Sequence, residues 1–252
     1  MREAFPEWRG QRAYVMEMAA DDPKAGRITV ATSPALVVAL DDTHRVLVVT
    51  GFPSDEKGAL SAAHVTPGNL GACWFVRRDA RWWVTDRHDS ILWAGSSGAV
   101  GTVKQAALGP AHQALFVESG WCGQGYCVGV LDVLELGIDA AHIVSSAVPL
   151  SSDSLGVAEG CDKLLGGVAD LAPAVVRELT PDNCFDVAGQ WRVEPRPDSD
   201  RGDIVIDFSG HELVQDAATQ AKSVQTITEQ LVLRHSATGY VRIRGRNPMH
   251  KV

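Results

Sequence analysis

The sequence predicts a mostly β protein: antiparallel meander sheets forming a barrel, sandwich or propeller-like architecture, with few short helices. Short runs rich in Val, Ile, Thr and Trp recur at spacings of about 8–15 residues. Turn residues punctuate them, as at Asp41–Thr43, Asp79–Ala80 and Ser236–Gly239. The runs Cys73–Arg77 and Arg81–Thr85, carrying Trp74, Phe75, Trp82 and Trp83, flank Asp79–Ala80 as a hairpin.

The opening stretch, Glu3 to Met18, has little clean periodicity, and a short helix is expected there, limited by Pro6 and Gly10. Strands are expected at Ile28–Ala31, Ala35–Leu40 and Arg45–Thr50, with polar turns at Pro53–Gly58 and Pro67–Asn69. After the tryptophan hairpin, Ile91–Trp93 reads as a third strand of a meander that ends at the Gly95–Gly98 loop. Ala114–Glu118 is a further strand. Tyr126–Leu136 is a long apolar run that alternates imperfectly, as a strand buried on both faces does. Ala172–Glu178 is the one later helix candidate. Strands at Asp203–Phe208, Ile227–His235 and Tyr240–Arg244 follow, the last two joined at Gly239, which suits positive φ. No fixed repeat is visible, so a true propeller is not expected. The chain reads as a single β-rich domain, 1–252, with a sub-division into 1–190 and 191–252 as the alternative and Glu194–Gly202 as its exposed loop.

The 252 residues carry a net charge of −8, unevenly spread. Residues 98–190 hold three basic groups (Lys104, Lys163, Arg177) against 11 acidic ones, which supplies the whole imbalance. Phosphate backbones require clustered Lys and Arg, so nucleic acid is not an expected partner. An acidic face instead keeps a protein soluble or steers a basic partner. Apolar runs of about six to seven residues fall far short of the roughly 20 that span a bilayer. The first residues lack the apolar core of a signal peptide, which leaves either a cytoplasmic chain or a mature form with an added Met.

Of five cysteines, Cys73 lies in an apolar run and reads as a buried free thiol. The other four, Cys122, Cys127, Cys161 and Cys184, sit in turn-like contexts suited to disulfides. A tight loop at Trp121–Cys127 would bring Cys122 and Cys127 within reach of each other and leave Cys161 for Cys184, although four cysteines allow three connectivities. Disulfides would indicate an oxidising compartment, the periplasm or cell envelope.

Catalytic signatures are missing. Gly95–Gly98 has neither the spacing of a nucleophile elbow nor the Lys of a phosphate loop. Ser54–Lys57 matches Ser-x-x-Lys without its partner motifs and reads as an exposed turn. Asp86–Asp89 places His88 near carboxylates but follows a strand, where a turn is expected. Asp41–Asp42 and Asp132/Glu135 are carboxylate pairs that a glycosidase could in principle use, but among 31 acidic residues such pairs arise by chance, and Asp198–Asp203 reads as a plain turn. No cofactor and no metal site are expected. Trp82 and Trp83 point to opposite faces of their strand, one inward and one outward.

Gly202–Phe208, Glu229–His235 and Gly239–Gly245 form a strand followed by a hairpin. This stretch resembles the closing strands of bacterial β-rich immunity proteins and periplasmic lysozyme inhibitors. The resemblance implies a non-catalytic binder that neutralises a secreted antibacterial effector of the peptidoglycan-hydrolase type by occluding its active site. It carries over no functional residue. The expected partner is a protein, met by Glu118, Trp121, Gln124, Tyr126, Asp132, Glu135 and Asp139. The alternatives are a hydrolase assembled from His88, Asp86 and Asp41, and a carbohydrate- or surface-binding module using exposed tryptophans.

Overall fold

A computed structural model describes residues 3–5, 13–22, 24, 26–167 and 171–250. Five strands, β1 (Tyr14–Ala19), β2 (Arg27–Ala39), β3 (His44–Pro53), β4 (Gly68–Arg78) and β5 (Arg81–Ala94), pair in sequence order. Eight more do the same: β6 (Thr102–Gly109), β7 (His112–Gly123), β8 (Tyr126–Leu136), β9 (Ala141–Asp153), β10 (Phe185–Glu194), β11 (Asp203–Gln215), β12 (Lys222–Ser236) and β13 (Gly239–Gly245). Two short helices, α1 (Cys161–Leu165) and α2 (Pro173–Glu178), lie between β9 and β10. The all-β antiparallel expectation is met, as two sheets in which strands consecutive in sequence are neighbours. The chain divides into two compact units, residues 1–119 with 132–144, and residues 120–131 with 145–252.

In the first unit, Val38, Val46, Val48, Leu70 and Trp74 of the five-stranded sheet meet Leu115, Val117, Leu134 and Leu136 of β7 and β8. This is sandwich packing, sheet face on sheet face. The Trp74 indole donates from Nε1 to the Gly137 carbonyl at 2.9 Å, so its one polar atom is satisfied in the core. On the other face of the same sheet, Leu47, Val49 and Cys73 pack with Ala4 and Phe5. Burial on both sides explains why β3 reads as an unbroken apolar run, Val46–Val49, rather than an alternating one. Arg87 fastens the Ala4–Phe5 segment: its guanidinium donates to the Ala4 carbonyl at 3.0 Å and sits 4.4 Å from the Phe5 ring centroid.

In the second unit, register puts Phe185 and Val187 of β10 on one face with Ile204, Ile206 and Phe208 of β11 and Ile227, Leu231 and Leu233 of β12. Gly189 leaves room for the Phe208 ring, which a Cβ there would meet at 2.7 Å. The opposite face carries a polar ladder: Arg192 to Asp207, Gln230 to Asp207 at 2.8 Å, and Arg244 to Gln230 at 3.0 Å. Beside it, Arg234 forks onto the nearly buried Asp203 at 2.9 and 2.7 Å. A satellite cluster of Cys161, Leu165, Leu179, Cys184 and Leu213 holds α1 and Leu179, the residue that caps α2.

Four local expectations are corrected. Tyr14–Met18 is strand rather than helix, because Tyr14 and Met16 pack on Phe5 and Val49; residues 6–12 of that stretch lie outside the described ones. Gly68 and Asn69 begin β4 instead of making a turn. Ile91–Trp93 is not a separate strand. It continues β5, whose pairing with β4 absorbs two bulges, at Leu70/Ala72 and Trp74/Phe75. For the same reason Asp86–Asp89 is strand, not turn.

Candidate functional site

The β7–β8 hairpin ends in a two-residue turn, Gln124–Gly125, with φ of 53° and 87°. Positive φ at both positions is the primed geometry that matches strand twist, and Gly125 adopts it without strain. Below the turn, Cys122 and Cys127 are disulfide-bonded across the two strands, with Cα atoms 4.0 Å apart. That is the short spacing of a directly opposed pair lacking ladder hydrogen bonds. The Trp121 ring lies over the backbone of Gly123, where a Cβ would meet it at 2.7 Å. Trp121 nonetheless stays 44% exposed.

The tip is braced from beneath. The Gly156 amide donates to the Gly125 carbonyl at 3.1 Å, and a Cβ on Gly125 would come within 2.4 Å of the Gly156 carbonyl group. Tyr126 donates its hydroxyl to the Asp182 carbonyl at 3.3 Å. Its ring faces Phe185 at 6.3 Å. Phe185 in turn carries the His250 imidazole at 3.9 Å, and His250 hydrogen-bonds Glu212 at 2.8 Å. The second disulfide, Cys161–Cys184, ties the 154–185 segment on which the tip rests. Near this segment, burial raises the Asp153 carboxyl above its usual range against the opposing Leu155 amide, helped by Asp186 across the ladder.

The acidic residues of the expected partner face are placed differently. Glu118 on β7 accepts from Lys104 Nζ at 2.6 Å. Glu135 on β8 hydrogen-bonds His112 at 2.7 Å. Asp132 is buried at 5% exposure. Asp132 and Glu135 sit on opposite faces of β8, so they do not converge as a glycosidase pair. Asp139 lies in the exposed turn between β8 and β9, beside Ile138. These four belong to the first unit, whereas Trp121, Gln124 and Tyr126 belong to the second.

Of the residues proposed for hydrolysis, two are brought together and the third is engaged in its own turn. Asp86 pairs with His88 at 3.4 Å. Asp41 is held in its own turn by the Thr43 amide at 2.6 Å and by His44 at 2.9 Å. These bonds, the Thr43 amide foremost, keep the Asp41 carboxyl well below the usual carboxylate range. Asp41 is thus a turn-former rather than the third member of a triad. Among the described residues, no three His, Cys, Asp or Glu side chains gather to hold a metal ion. Among them, too, no helix is long and apolar enough to cross a membrane.

Sequence reasoning placed Trp121, Cys122, Gln124, Tyr126 and Cys127 at this loop but missed its supports: Gly156, Asp182, Phe185, Glu212 and His250. These come from three other parts of the chain, and no local motif marks them. Comparison with known protein families, with curated proteins and with solved structures finds no match to this chain.

Proposed function

We propose that this chain is a non-catalytic binding protein of an oxidising compartment, the periplasm or cell envelope. In this reading it is an immunity-type inhibitor that neutralises a secreted peptidoglycan-hydrolase effector by seating the Trp121–Tyr126 loop in the enzyme's cleft. The observation that carries it is an exposed Trp121 on a disulfide-closed hairpin tip. Large aromatic side chains are the usual anchors of protein interfaces. A tip fixed by Cys122–Cys127 and propped on Gly156 loses little conformational entropy on binding, which is where rigid binders gain affinity. Two disulfides fit an oxidising compartment. The acidic residues 98–190 add long-range attraction for a basic partner.

The test is growth rescue. Bacteria exporting each of a panel of antibacterial cell-wall hydrolases are grown with and without this chain in the same compartment. Rescue from at least one hydrolase, lost with Trp121→Ala, supports the reading. No rescue across the panel by a chain shown to be folded and oxidised there overturns it.

A further inference from the structure

One end of the five-stranded sheet, in the first unit, carries a feature distinct from the Trp121 loop. The β4–β5 hairpin turns at Asp79–Ala80, and the residues flanking the turn, Arg78 and Arg81, lie directly opposite each other in the ladder. Like charges directly opposed on a sheet are destabilising. Neither guanidinium has an ion-pair or side-chain hydrogen-bond partner among the described residues. On the same face stands Trp83, 51% exposed, one pleat along from Arg81. Beside it opens a cleft of about 310 Å³ lined by Glu3, Arg81, Trp82 and Trp83. Trp82 is set in place by Arg45, whose guanidinium lies 5.0 Å from the Trp82 ring centroid.

We infer that this cleft binds an acidic carbohydrate, a sugar ring bearing a carboxylate. The exposed indole of Trp83 offers a flat apolar platform for the C–H face of a ring. Arg81 offers a planar fork for a carboxylate, which would relieve its repulsion from Arg78, its partner across the ladder. Glu3 is an acceptor for ring hydroxyls. A cleft of this volume falls at the lower end of small-ligand sites and suits one or two sugar rings better than a protein surface. The site is independent of the Trp121 loop, and either reading stands if the other fails.

Calorimetric titration of the oxidised full chain tests it, with trigalacturonate and a hyaluronan tetrasaccharide as acidic probes. Cellotriose is the neutral probe and a short oligothymidylate the competing polyanion. At least one acidic probe should bind, with cellotriose at least about tenfold weaker. Affinity should fall with added salt. Trp83→Ala and, separately, Arg81→Gln should each weaken binding about tenfold, whereas Trp121→Ala leaves it unchanged. Both substitutions lie on the exposed hairpin end, and Arg81→Gln should also hold or raise the melting temperature by removing the like-charge pair. The inference is overturned if neither acidic probe binds at about 10 mM, if cellotriose or the oligothymidylate binds as tightly, or if Trp83→Ala binds like the parent.

Discussion

The imidazole of His250 lies flat on the phenyl ring of Phe185, with centroids 3.9 Å apart and planes within 4°. Its Nε2 meets Glu212 Oε2 at 2.8 Å, and Phe185 and Glu212 are direct cross-strand partners of β10 and β11. One side chain near the C-terminus thus clips a register pair. Around it, Asn247 donates to the Pro149 carbonyl at 2.7 Å and the His250 amide donates to Ser152 Oγ at 3.3 Å. His250→Ala removes the stack and leaves the mostly buried Glu212 carboxylate without this partner. The expected loss is about 1–3 kcal/mol in urea unfolding. Glu212→Gln in the His250→Ala background should cost less than Glu212→Gln alone, because the two residues share one interaction.

Turn chemistry yields the next prediction. Ala80 holds φ of 61° in the Asp79–Ala80 turn, a left-handed conformation that costs a residue with a Cβ roughly 1 kcal/mol. Ala80→Gly should therefore stabilise the chain by up to about 1 kcal/mol, read as a rise in denaturation midpoint. Gly245→Ala should do the opposite and more strongly. At φ of 75°, its Cβ would press on the Gln230 carbonyl oxygen, and the β12–β13 pairing would have to shift.

The Asp79–Ala80 turn shows what the sequence made legible. Hairpins whose information is local were readable: Asp79–Ala80, the Tyr126–Leu136 strand and the Ser236–Gly239 loop all appear where composition put them. Strands whose residues are exposed and mixed were not. β6, with Lys104 and Gln105, and β9, with Ser145, Ser146 and Pro149, show neither alternation nor β-branched density, and neighbouring strands hold them in the sheet. The run Asp86–Asp89 read as a turn because its polarity was visible, whereas the bulge that keeps it paired to β4 was not. At the candidate site, the cysteine spacing and Trp121 were legible. The bracing by Gly156, Asp182 and His250 depends on chain segments brought together only by folding. The carboxylates Glu118 and Glu135 looked like an acidic face because their partners Lys104 and His112 lie 14 and 23 residues away.

The thiols should respond in order of exposure. Cys122 is exposed, while Cys161 and Cys184 are fully buried. Limited reduction in the native state should open Cys122–Cys127 first, shown by mass mapping of alkylated peptides, since exchange requires access of the attacking thiolate. Without reductant, denatured protein should release one alkylatable thiol, Cys73.

Cys73 also sets an alkaline limit. Burial, opposed in part by the Arg87 charge, pushes its thiol from 9.0 up to about 11. The folded state therefore keeps the proton over a range where the unfolded chain has lost it. An unfolded state that binds fewer protons means that stability falls as pH rises, here between about 9 and 11. Cys73→Ser should flatten that part of the stability curve relative to the parent, and alkylation of native Cys73 at neutral pH should be slow until the chain unfolds.

The loop proposed to bind should be separable from the fold. Trp121 is half exposed and rests on Gly123, so Trp121→Ala should change the melting temperature little while removing the inhibition proposed above. Gly125→Ala leaves Trp121 and both disulfides in the sequence. It should nevertheless weaken inhibition, because a Cβ at φ of 87° and 2.4 Å from the Gly156 carbonyl group must lift the tip off its support. If Gly125→Ala lowers stability yet inhibits as the parent does, the bracing serves folding alone. If both variants inhibit fully, the contact surface lies elsewhere on the chain. The outcome in which Trp121→Ala and Gly125→Ala both lose inhibition, and only Gly125→Ala loses stability, is the one that a preorganised loop requires.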